Sequence, residues 1–82
     1  MAKIPHSLIG TAAPALAQAY THSNLNSLFL AHGFPGDPPE GNKQDKCFGW
    51  LRRANTSMSD PLRALGSLIG EFMDNDHWAE IY

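Results

Sequence analysis

Valine is absent from this chain of 82 residues, and no segment alternates apolar and polar side chains for more than a few positions. Without that alternation, and without a common strand former, a sheet is not expected. Cysteine occurs once, as Cys47, which excludes an intrachain disulfide framework and a cysteine-based zinc cluster. Positive charge is scarce: six Lys and Arg against eight Asp and Glu leave a net charge of −2 and a pI near 6.0. A strongly basic nucleic-acid binder is therefore not the expectation. No apolar run approaches the roughly 18 residues of a membrane-spanning helix. His6, Ser7 and Gly10 interrupt the N-terminal stretch, which argues against a secretory signal peptide. One unpaired cysteine suits a reducing compartment, so a cytoplasmic chain is the expectation.

What is present is an ordinary globular composition, 43% hydrophobic and 17% charged, in a length that suits one small core. Turn residues punctuate it into helices. Leu8, Ile9, Ala12, Ala13, Leu16 and Tyr20 form one stripe, with Thr11 expected to cap the main helix and Pro14 to sit in its first turn. Ser23 or Asn24 is expected to cap a second helix carrying Leu25, Leu28, Phe29 and His32, with Gly33 closing it. The run from Phe34 to Gly41 holds three prolines and two glycines and reads as a stiff loop. Asn42 caps a third helix, Lys43 to Ala54, with Cys47, Trp50, Leu51 and Ala54 on one face, and Gly49 is expected where another part of the chain comes close. Asn55 to Ser59 reads as a connector. Asp60-Pro61 opens a fourth helix with Leu62, Leu65, Leu68, Ile69, Phe72 and Met73.

The expected fold is all-α: a compact bundle of four to five short helices without a sheet. Its core is expected to hold Leu16, Leu25, Leu28, Phe29, Trp50, Leu51, Leu65, Ile69 and Phe72. The chain reads as a single domain over residues 1–82, with its core at 7–74. Residues 75–82 form a tail or the start of a fifth helix capped by Asp76. The ending in Trp78, Ile81 and Tyr82 leads us to expect a domain of a longer protein.

No catalytic, cofactor or metal site emerges. The four histidines, His6, His22, His32 and His77, make no i, i+4 pair and have no ligand-spaced Cys, Asp or Glu beside them. His32, next to Gly33, suits a helix C-terminus instead. Cys47 lies on an apolar stripe and reads as a buried small hydrophobe. Asp74 and Asp76 flank a helix end, where Asp serves turns and caps. The chain has no phosphate-cradling glycine motif, and no arginine is followed four to six residues later by the histidine of a helical ribonuclease signature. One basic constellation stands out: Lys43, Lys46, Arg52 and Arg53 on the third helix, with Trp50 among them. It can serve as a nucleic-acid contact or simply as a solvated face.

Several segments carry a further likeness: His22-Ser-Asn-Leu-Asn-Ser-Leu-Phe29, the Gly33-to-Lys43 loop, Trp50-Leu-Arg-Arg-Ala-Asn55 and the Asp60-Pro-Leu helix. Together they resemble an N-terminal domain of AbiJ-type abortive-infection proteins of bacterial anti-phage defence, over about Leu8 to Met73. The resemblance implies a non-catalytic sensing or recruitment module whose effector lies in another domain, and it carries over no catalytic residue. A death-like helical adaptor is an architectural alternative. For recruitment, the expected surface is the loop, with Phe34 as apolar anchor and Asp37 and Glu40 as charges. These can meet Lys46, Arg52 and Arg53 of another copy head to tail. The other reading, a loop that only spans two helices with Phe34 in the core, stays open. The expected partner is a protein, an effector domain or a second copy, with nucleic acid through Lys43, Lys46, Arg52 and Arg53 as the alternative and no membrane or cofactor.

Overall fold

The computed structural model describes residues 3–75. It contains four helices: α1 (His6–Ala19), α2 (His22–Ala31), α3 (Lys43–Ser57) and α4 (Pro61–Asn75). No strand occurs among the described residues, so the all-α bundle expected from the sequence is the observed fold. The expected fifth helix, at His77 to Tyr82, lies outside the described residues.

α1 corrects the first boundary. Pro5 precedes it with an extended backbone, its carbonyl accepts from the amides of Leu8 and Ile9, and the helix runs unbroken through Pro14. Thr11 is no cap: its hydroxyl donates to the Ser7 carbonyl one turn back, at 3.0 Å. The cause is burial. Ile9, Ala12, Ala13, Leu16 and Ala17 recur at helical spacing and are all buried, and a break at Gly10 would take Ile9 off that line. One continuous apolar face outweighs the backbone hydrogen bond that Pro14 removes.

α2 starts earlier than the sequence led us to expect. Thr21, extended at φ −78° and ψ 169°, caps it by accepting from the Asn24 amide at 3.2 Å. Ser23 and Asn24 therefore lie inside the first turn. Gly33 does end the helix, at φ 81°, the left-handed conformation in which a side chain is costly.

α3 begins as expected, with the Asn42 side chain accepting from the Asp45 amide at 2.8 Å. It continues to Ser57, past the expected end at Ala54. The extra turn carries Asn55, which clasps the chain's beginning. Its Oδ1 accepts from the Ile4 amide at 2.8 Å, and its Nδ2 donates to the Ile4 carbonyl at 3.1 Å. That reciprocal pair seats Ile4 in the core. Asp60 accepts from the Arg63 amide at 3.3 Å and Pro61 opens α4, as read from the sequence.

The core centres on three aromatics. Trp50 stacks on Phe29 with centroids 4.7 Å apart, and Phe34 meets Phe29 edge-on at 4.9 Å. Leu16, Leu25, Leu28, Leu51 and Leu65 are buried around them, together with Leu68. Ile69 and Phe72 are only half-buried at the margin. They sit on the outer turns of α4, where the neighbouring helices cover less of its face.

Candidate functional site

The segment between α2 and α3 lies along the outer face of α3 and runs antiparallel to it. Gly41 lies over Asp45, Pro39 over Gly49, and Pro35 to Asp37 over Arg53. Each step descends about one helical turn. Gly49 is the close approach expected from the sequence, and what approaches is a proline ring. A Cβ on Gly49 would stand 2.8 Å from Pro39 Cβ and 2.9 Å from its Cγ. Arg53 fastens the far end: its Nη1 donates to the carbonyls of Pro35 and Asp37, each at 2.8 Å. Gly36, between these two acceptors, has φ 81° and leaves room for the guanidinium. That positive φ also means that Pro35 to Pro38 is not a polyproline helix.

This arrangement corrects part of the expected surface. Phe34 is no exposed anchor. It is 2% exposed and packed on Phe29, because the Gly33 turn points it back into the bundle. Lys46 is no surface cation either. It is 6% exposed, and its ammonium donates to Asn26 Oδ1 at 2.8 Å. Lys43 is half-buried and donates to the Tyr20 carbonyl at 3.1 Å, at the C-terminal end of α1 where a cation suits the helix dipole. Arg53 is engaged by two backbone carbonyls of its own loop, and not by the Asp37 or Glu40 carboxylates it was expected to meet on another copy.

The remaining members stay outside. Arg52 is exposed and lies over the Phe48 ring, 5.7 Å from its centroid. Asp37, Pro38 and Glu40 are exposed, and neither acid makes an ion pair among the described residues. The accessible part of the site is therefore the loop crest and Arg52.

The other candidates for chemistry are placed as follows. Cys47 is buried, and its thiol is pushed up from 9.0 to about 11 by burial, against the opposing pull of Lys46 and Lys43. His32 sits at the end of α2, where its Nε2 lies 2.8 Å from Glu71 Oε1 of α4. It thus caps the C-terminal end of α2, as the sequence indicates, and its ring also meets a side chain on another helix. Among the described residues, no three His, Cys, Asp or Glu gather as a metal site, and no helix is long and apolar enough to cross a membrane.

Comparison with protein-family models, curated proteins and solved structures finds no match to this chain.

Proline 39 and Asn55 are the positions that reading the sequence missed. For Pro39 a signal was there, a proline pair a short loop away from a mid-helix glycine. For Asn55 there was none, since its partner is a backbone 51 residues distant.

Proposed function

We propose that this chain is a non-catalytic recruitment module, of the kind its resemblance to AbiJ-type anti-phage defence proteins implies, acting in the bacterial cytoplasm. The observation that supports this reading is the fastened loop. Asp37, Pro38 and Glu40 stand exposed on a backbone that Arg53 and the Pro39–Gly49 packing hold against α3. A surface ordered before binding loses little entropy when a partner arrives. The partner is a protein surface that answers two carboxylates and a proline, in an effector domain or a separate chain.

Nucleic-acid binding by the third helix has less support. Trp50 is stacked inside the core, Lys46 is buried, and Lys43 and Arg53 are engaged with carbonyls. Only Arg52 is left for phosphate, too little charge for a strong salt-dependent contact.

The test is affinity capture with the intact chain and with an Asp37→Lys/Glu40→Lys variant whose helical circular dichroism is unchanged. A partner held by the first and lost by the second is the expected result. Identical partners for both would remove the loop from the recruiting role. Micromolar binding of single- or double-stranded probes at low salt, abolished by Arg52→Ala, would favour the nucleic-acid reading instead.

A further inference from the structure

The strongest unassigned feature is the outward face of α4. Gly66 and Gly70 are both exposed, and a Cβ built on either would meet nothing within 4 Å among the described residues. Among the described residues, then, no packing requires either residue to be glycine, although glycine weakens a helix interior. Beside these two runs an apolar edge: Leu62 and Ile69 are half-buried and Met73 is 55% exposed. At 100° per residue, these five positions form one continuous strip of the helix surface. On its other side stand Arg63 and Asp74, both exposed and neither in an ion pair among the described residues.

The two charges are set against the helix. Arg63 is in the first helical turn, where the dipole end is positive, and Asp74 is in the last, where it is negative. An antiparallel second copy of α4 reverses both relations. It sets Arg63 of one chain beside the C-terminal end and Asp74 of the other, and it does so twice because the contact is two-fold.

The registers agree without adjustment. Gly66 and Gly70 are symmetric about the level of Leu68, so an antiparallel pair centred there lays Gly66 of one copy on Gly70 of the other. The same centre sets Arg63, five residues away, opposite position 73 and beside Asp74, about 7.5 Å along the axis. It sets Leu62 against Met73 to within one residue. Glycine at the crossing lets two helix axes come nearer than the usual 8–10 Å, which brings the flanking apolar and charged side chains into reach.

We infer that α4 is a self-association surface, on which two copies of this chain pair antiparallel through the Gly66–Gly70 strip and exchange Arg63–Asp74 contacts. The pairing is isologous and closed, a dimer and not a filament. It is independent of the recruitment reading, since none of its residues belongs to the loop or to α3.

The experiment is sedimentation equilibrium of the chain over a concentration series, with four variants. The wild-type chain is expected to rise from 9.0 kDa toward twice that mass. Arg63→Glu alone and Asp74→Arg alone each face two like-charge contacts and should weaken pairing at least tenfold. An equimolar mixture of those two should pair again, because both contacts are then complementary. Gly66→Ala and Gly70→Ala should raise the melting temperature of the dilute monomer, since the added methyl meets nothing among the described residues, while weakening the dimer. These opposite signs separate a pairing role from a folding one. A chain that stays at monomer mass up to millimolar concentration overturns the inference. So does a dimer indifferent to both charge reversals, or a mixture that fails to re-pair.

Discussion

Gly49 shows how much one missing side chain can settle. In an open helix, Gly→Ala gains about 0.5–1 kcal/mol. At Gly49 the new methyl would meet the Pro39 ring at 2.8 Å, and a proline ring cannot swing aside as a flexible chain can. Overpacking of this kind costs about 1–3 kcal/mol. We expect Gly49→Ala to lower stability by about 1 kcal/mol, whereas Gly66→Ala, with open space above it, raises the stability of the dilute monomer. Urea denaturation of the two variants decides it, and a stabilised Gly49→Ala would mean that the loop does not bear on α3. Cys47 gives a second residue-scale prediction. Its folded thiol titrates near 11, above the 9.0 of a free one. Below pH 9 both folded and unfolded chains hold the proton, so stability there is unaffected. Between pH 9 and 11 the unfolded chain releases it first, and stability falls as pH rises. Cys47→Ser or Cys47→Ala should flatten that alkaline decline in pH-dependent urea titrations, and native Cys47 should resist alkylation at pH 8 until the chain unfolds.

At the scale of the element, Pro14 tests what makes α1 one helix. The buried line from Ile9 to Ala17 holds it together although Pro14 cannot donate to Gly10. Pro14→Ala restores that donor in a conformation the chain already adopts. An interior proline costs about 3 kcal/mol, part of which is returned by a stiffer unfolded chain. The expected net gain is about 1–2 kcal/mol, read as a melting temperature several degrees higher. A lower melting temperature would show that the Pro14 ring is a packing element in its own right. The same helix marks the limit of the sequence. Stripes are legible because burial repeats with the turn of the helix. Hence α3 and α4 start where Asn42 and Asp60 indicate, and Cys47, Trp50, Leu51 and Ala54 are buried as expected. Proline as a breaker is a local rule, and a sufficiently long buried face overrides it. The loop was legible as stiff and as lying between helices. Phe34 turns inward as part of the helix end: after the Gly33 turn its amide donates to the Phe29 carbonyl at 3.1 Å, and the two rings meet. The burial of Lys46 depends on Asn26, which belongs to another helix, and no local pattern reports such a partner.

Across the whole molecule, α3 is the axis. Among the described residues each substantial packing of one helix on another involves it, extensively against α1 and far more thinly against α2 and α4. The outer half of α4 is held by half-buried contacts, among them Phe72 with its ring centroid 5.9 Å from that of Tyr20. It is also held by the His32–Glu71 pair, in which Glu71 is 41% exposed. Stability should therefore be graded along the bundle. Amides of α3 between Cys47 and Ala54 are expected to exchange with solvent only when the whole chain unfolds, and those of α4 near Glu71 by a smaller, local opening. Glu71→Gln keeps an acceptor for His32 and removes the charge. A partly exposed pair contributes no more than about 1 kcal/mol, so the α4 amides should exchange about two- to fivefold faster while α3 is unchanged. Native-state hydrogen exchange followed residue by residue, on chain dilute enough to be monomeric, reads both rates at once. If α4 and α3 were to exchange at one common rate and respond together to Glu71→Gln, the bundle would open as a single unit, and the grading along it would be wrong.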